Sequence, residues 1–168
     1  MNTLSFGHKP YLNVPIDLCE YIIRKRIVGP ASLFFLLKMS SDGGWVKKSE
    51  LKKFACKCLK ISIRTFFSYL DWLFVHKWII GNRKLKAVKA RSFKELYNSL
   101  KLSRERGAAI HNDDLKSFKS FLIAAIITYR AGILKNNIMR KKGVTEFKSW
   151  CSNMCIPISS GVFIFQIS

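Results

Sequence analysis

Apolar positions recur along this chain with two periods, one helical and one strand-like. Leu18, Tyr21, Ile22 and Ile23 share one side of a helix over about 17–26, with Asp17 placed to cap it. Gly29-Pro30 breaks the chain, and Pro30 suits the first turn of a new helix over about 30–40. That helix reads ASLFFLLKM, apolar nearly all round, so it belongs at the centre of a core. A turn at 41–44 leads to Trp45-Val46, a short strand. Ser49 then reads as an N-cap for a short amphipathic helix with Leu51, Phe54, Ala55, Cys58 and Leu59. After Lys60-Ile61, Ser62 caps a helix over about 63–76. Trp78-Ile79-Ile80 and residues 85–89 read as two strands joined by a turn at Gly81-Asn82.

Beyond Ser92 the helical period returns with Phe93, Leu96, Tyr97 and Leu100, followed by a polar break over 104–111. Asn112 with Asp113 and Asp114 marks the start of a long helix to about Leu134, acids in its first turn. Its stripe is Leu115, Phe118, Leu122, Ile126, Tyr129 and Ile133. Either the stripe folds back on the same chain or it pairs two copies as a homodimer through the 112–134 helix. A short helix over 145–154 and an apolar tail, PISSGVFIFQIS, complete the pattern. The fold class is mainly α with a small β-hairpin. Three segments follow: an N-terminal arm (1–16), a central domain (17–92) and a helical C-terminal extension with an apolar tail (93–168).

Charge changes the picture most. The 168 residues hold 30 Lys and Arg against 10 Asp and Glu, a formal net charge of +20. With 49% hydrophobic residues and 13 Phe the chain has the material for a core, which excludes a disordered basic tail. A foldable chain this basic predicts a polyanionic partner. The surplus is concentrated: residues 45–91 carry thirteen basic residues against Glu50 and Asp71 alone.

Other chemistries find little support in the residues. No phosphate-binding loop, dinucleotide fingerprint, nucleophile elbow or H-E-x-x-H is present, so no catalytic residue and no cofactor is assigned. The cysteines at 19, 56, 58, 151 and 155 are odd in number. Cys56-x-Cys58 with Cys151-x3-Cys155 departs from the C-x2-C pairs of zinc sites, so they read as free thiols and no metal is assigned. His8, His76 and His111 lie apart and read as surface or packing residues. The start of the chain lacks the basic and apolar regions of a secretory signal. The most apolar run, residues 121–127, falls short of the roughly 20 residues a membrane span needs. A cytoplasmic location without membrane contact follows as the expectation: a bacterial host cytoplasm or nucleoid, or association with a virion.

Over residues 30–91 the order helix, short strand, short helix, tight turn, helix, hairpin resembles the winged helix-turn-helix family of DNA-binding domains. Ser49-Glu50-Leu51 with Phe54-Ala55 looks like the start of the positioning helix. Lys60-Ile61-Ser62-Ile63-Arg64-Thr65-Phe66 looks like the turn and the start of the recognition helix. Leu70, Leu73 and Trp78-Ile79-Ile80 resemble the run into the wing. The family often has Gly where this chain has Lys77. The tail segment Ile156-Pro157-Ile158-Ser159-Ser160 resembles the start of a second helix-turn-helix in plasmid and phage replication initiators. The resemblance implies a central winged helix-turn-helix over 17–92. It also implies a non-enzymatic protein that binds double-stranded DNA, with a role in transcription regulation or DNA replication control on a phage or mobile element.

Helical spacing sends Phe66, Leu70, Leu73 and Phe74 inward, leaving Arg64, Thr65, Phe67, Ser68 and Asp71 outward. Arg64 is a bidentate partner for guanine, Phe67 either meets a thymine methyl or packs on a neighbour, and Ser68 reaches a base or phosphate. Phe67 and Trp72 read more naturally as core or interface residues than as base contacts, and Asp71 as the partner of a lysine. Lys47 and Lys48 flank the start of the positioning helix, close to phosphate, and Asn82-Arg83-Lys84 fall at the wing tip, where a wing meets the minor groove or the backbone; Lys60, Ser62 and Lys86 complete the DNA-binding set. Arg140-Lys141-Lys142 is a further basic cluster. Two other readings share the same charge: a structural or packaging protein without sequence preference, and an RNA-binding protein.

Overall fold

The computed structural model describes residues 11–41, 44–81, 84–102 and 107–136. The arm's first ten residues, the wing-tip residues Asn82 and Arg83, the 145–154 helix, Arg140-Lys141-Lys142, Cys151, Cys155 and the tail lie outside them. The described chain is mainly helical with two small antiparallel sheets. Its elements are β1 (Tyr11–Pro15), α1 (Ile16–Arg24), α2 (Val28–Ser40), β2 (Val46–Lys47), α3 (Lys48–Cys58), α4 (Ile63–Val75), β3 (Ile79–Ile80), β4 (Ala87–Ala90), α5 (Phe93–Leu100), β5 (Gly107–His111), a 3-10 turn (Asn112–Ser117) and α6 (Phe118–Asn136).

Helix α2 is the hub. Leu33, Phe34, Phe35, Leu36 and Leu37 are all fully buried. Each is worth about 1.5–3 kcal/mol of burial. Two serines near its end would be costly there unless bonded. Ser40 Oγ donates to the Leu36 carbonyl at 2.8 Å and Ser41 Oγ to Leu37 at 2.7 Å, so neither hydroxyl is orphaned. The helix begins two residues before Pro30. Pro30 therefore sits within the first turn, where a missing N–H costs no hydrogen bond. Phe34 meets Trp78 and Phe93 edge-on, which joins α2 to the start of β3 and to α5.

Strands β2, β4 and β3 form one sheet in the order β2-β4-β3. Val46 pairs with Val88, and Ile79 with Ala90, all four buried. Other helix starts also differ from the sequence pattern. Helix α1 begins at Ile16 with Pro15 before it, so Asp17 lies inside the first turn instead of capping it. Helix α3 starts at Lys48 with Lys47 before it, not at a Ser49 cap. The Lys48 N–H donates to the Lys86 carbonyl at 2.9 Å, so the sheet sets the start of this helix. The predicted helix at Asn112 opens as a 3-10 turn and becomes α-helical only at Phe118. There the Asp114 carboxylate accepts the His111 N–H at 2.7 Å.

The predicted polar break over 104–111 contains strand β5 at its end. The last residues of the predicted arm are its partner: Leu12 faces Ile110 and Val14 faces Ala108. The backbones approach closely, because a Cβ on Gly107 would lie 2.9 Å from the Val14 carbonyl oxygen. Leu115, Phe118, Leu122 and Ile126 are buried within the same chain, so the stripe of α6 folds back, leaving Lys119, Ser120, Ala124 and Thr128 outward. Arg130 donates through Nε and Nη2 to one Glu20 oxygen, at 3.0 and 2.7 Å, tying α6 to α1 across 110 positions. Among the described residues no helix is long and apolar enough to cross a membrane.

Among the described residues four non-glycine residues take left-handed backbone: Arg26, Lys60, Lys77 and Lys101, with φ from 51° to 58°. Each stands one or two residues past a helix, where glycine is the usual solution, and each is a cation near the negative end of a helix dipole. At Lys77 the closure is complete: its N–H donates to Phe74 at 3.1 Å and the Trp78 N–H to Leu73 at 2.9 Å. The Lys for Gly exchange seen in the sequence is therefore accommodated by φ of +58°.

Two stability changes follow. Lys77→Gly removes the left-handed strain and is expected to stabilise the chain by about 1 kcal/mol, raising Tm by about 2–4 °C in a thermal melt. Arg130→Ala leaves Glu20 without its partner and is expected to cost about 1–3 kcal/mol in urea unfolding.

Candidate nucleic-acid interface

The segment from α3 to α4 builds the first half of the site. Leu59 and then Lys60, in left-handed backbone, turn the chain between the helices. Ser62 follows as N-cap. Its Oγ accepts the Thr65 N–H at 3.1 Å and lies 2.9 Å from Thr65 Oγ1. Thr65, expected outward, is half-buried and serves this cap. Phe66, Leu70 and Leu73 are buried at 0–3% exposure, fixing α4 against α2, while Phe74 is half-buried.

The opposite face of α4 is open. Arg64 and Ser68 are exposed, and so are Ile63 (56%) and Phe67 (47%). These four form two pairs at i, i+4, so they share one surface. Phe67 meets Phe66 edge-on, with ring centroids 5.3 Å apart. The outward placement of Phe67 follows the helical spacing, and only the reading of it as a core residue is corrected. Trp72, by contrast, does pack: it stacks on His76 at 3.8 Å and meets Trp78 edge-on. His111 similarly packs on Tyr11.

The second half of the site comes from the sheet. Lys47 on β2 pairs with Ala87 on β4, and Lys48 is bonded through its backbone to Lys86. Lys47, Lys84 and Lys86 are exposed. Lys48 is not an open cation. Its ammonium lies 5.2 Å from the centre of the Phe74 ring. Partial burial lowers its pKa, and the negative charge of Asp71 opposes that shift. Asp71 thus lies near enough for its charge to act on Lys48.

The structure therefore gathers Lys60, Ser62, Arg64, Thr65, Phe67 and Ser68 at one end of α4. It gathers Lys47, Lys48 and Lys86 at the β2–β4 pairing, with Lys84 exposed three positions before β4. Sequence reasoning missed Ile63, whose only signal is its spacing of four from Phe67, and Trp45, which stands 54% exposed ahead of β2.

The described residues offer little for other chemistry. None of them form a group of three metal-ligating side chains. Cys19 is buried beside Glu20, and burial pushes its thiol up to about 12, far from a reactive thiolate. Burial also raises the Cys58 thiol. No known protein family, curated protein or solved structure matches the chain.

Ser62→Ala removes the cap that positions the open end of α4. A loss of about 1 kcal/mol in unfolding free energy is expected, measured by urea titration, with α4 fraying at residues 63–65 in amide exchange.

Proposed function

We propose that this chain is a winged helix-turn-helix protein that binds double-stranded DNA and acts by binding rather than by catalysis. Helix α4 enters the major groove while lysines of the sheet hold phosphates. The observation that carries the reading is the open face of α4. A helix clamped to the core on one side presents Arg64 and Ser68 with two large apolar side chains, Ile63 and Phe67, on the other.

Each part has a counterpart in duplex DNA. Arg64 suits the O6 and N7 of guanine. In the major groove the apolar feature is the thymine C5-methyl, which suits Ile63 and Phe67. Lys47, Lys60, Lys84 and Lys86 supply the sequence-independent attraction of a chain with net charge +20. The element order from α2 to β4 and the strand order β2-β4-β3 support the assignment of α3 as positioning helix, α4 as recognition helix and the β3–β4 connection as wing. Such a reader acts in transcription regulation or replication control.

Selection from a random duplex pool tests this. An enriched motif is expected, with Arg64→Ala relaxing one position at a cost of about 1–3 kcal/mol. Replacing thymine by uracil in the motif removes the methyl and is expected to weaken the parent protein but not Phe67→Ala. Tight binding without enrichment would replace this reading by packaging. Preference for duplex RNA would replace it by RNA binding.

A further inference from the structure

The proposed duplex contacts assign no role to Trp45, yet it is among the most exposed large apolar side chains of the described residues, at 54%. It stands one position before β2. Alternation along that strand buries Val46 and leaves Trp45 and Lys47 on the other face. On β4 the inward pair is Val88 and Ala90, so Ala87 and Lys89 belong to the outer face. On β3 Ile79 is inward, and Ile80 is outward at 38% exposure.

The register brings these together. Ile80 pairs with Lys89 across β3–β4. Val46 pairs with Val88 across β2–β4, which sets Trp45 alongside Lys89 on the other edge. One row across the sheet therefore reads Trp45, Lys89, Ile80, with Lys47 two positions along from Trp45. No acidic residue occurs between Asp71 and Glu95, nor from Gly43 to Ser49, so the strands bring no carboxylate to this face.

We propose that the outer face of the β2-β4-β3 sheet binds single-stranded nucleic acid, with an unpaired base stacked on Trp45 and the adjoining phosphates on Lys47 and Lys89. An exposed indole offers a flat π surface, and every base has a matching face. Neighbouring strands lie about 5 Å apart and alternate residues of one strand about 7 Å apart. Lysines at those offsets from the indole can reach the phosphates that a sugar separates from the stacked base. An acidic peptide would satisfy the lysines but leave the indole without a planar partner. Duplex DNA cannot use the site, because its bases are already stacked. The inference shares Lys47 and the β2–β4 pairing with the duplex reading but concerns another form of nucleic acid, and the Trp45 variants, which leave the α4 face untouched, tell the two apart.

The test is fluorescence anisotropy with a labelled 12-nucleotide oligo-dT and, separately, a mixed-sequence duplex. Both are run at about 150 mM salt, near physiological ionic strength. Trp45→Ala is expected to weaken oligo-dT binding about tenfold or more and to change duplex binding less than about twofold. Trp45→Phe, which keeps a ring, is expected to restore most of the loss. Oligo-dT is expected to quench the tryptophan emission of the parent protein but not that of Trp45→Phe. Because Trp45 is half-exposed, truncating it leaves the core intact. Absence of oligo-dT binding by the parent protein, unchanged affinity in Trp45→Ala, or equal loss on both DNA forms would each overturn the proposal. So would Trp45-dependent binding of polyglutamate without binding of oligo-dT, which would assign the face to an acidic protein.

Discussion

The rest of the structure depends on burying α2. A helix apolar on every side must be surrounded, and Leu33 to Leu37 lose all contact with water. Surrounding it takes α4 on one flank, β4 with the Trp78 ring on another, and α1, α6 and the 3-10 turn elsewhere. One continuous cluster results, running from Leu12 to Ile126. The C-terminal extension and the residues before α1 are parts of that enclosure. Glu20 with Arg130 and the β1–β5 pairing are its fastenings.

The same constraint creates the functional surface. Among the described residues no lysine or arginine is buried in this core, and a chain with a surplus of twenty positive charges repels itself until a polyanion neutralises them. Helix α4 is the element where rigidity and exposure meet. It is held along Phe66, Leu70 and Leu73, capped by Ser62 and closed by Lys77 in left-handed backbone. A surface held at both ends keeps its geometry on binding, so little ordering entropy is lost there.

Much of this was legible in the sequence. The inward face of α4, the Ser62 cap and the centrality of α2 follow from periodicity and side-chain chemistry within one helix. So do the short strands around Ile79 and Val88. What the sequence hid depends on distant partners. Strand β5 looks like a polar break until Leu12 and Val14 stand opposite it. Ser49 has the chemistry of a cap, but the Lys48–Lys86 backbone bond starts the helix earlier. Aromatic residues are poor reporters of exposure from sequence, since burial is their usual fate. Helical spacing turned Phe67 outward while its residue type suggested core or interface, and Trp45 read as an ordinary strand residue. In the candidate site, exposed cations such as Arg64, Lys60 and Lys86 were readable from spacing. The half-burial of Lys48 on Phe74 was not, because it needs α3 and α4 side by side.

The central claim is that the open end of α4 and the β2–β4 edge meet duplex DNA. Amide hydrogen exchange resolved along the chain, with and without a mixed-sequence duplex at about 150 mM salt, addresses it most directly. The expected result is slowed exchange over residues 60–68 and 84–89, with α1 and α6 unchanged. Slowing confined to α1 and α6, or no slowing anywhere, would contradict it.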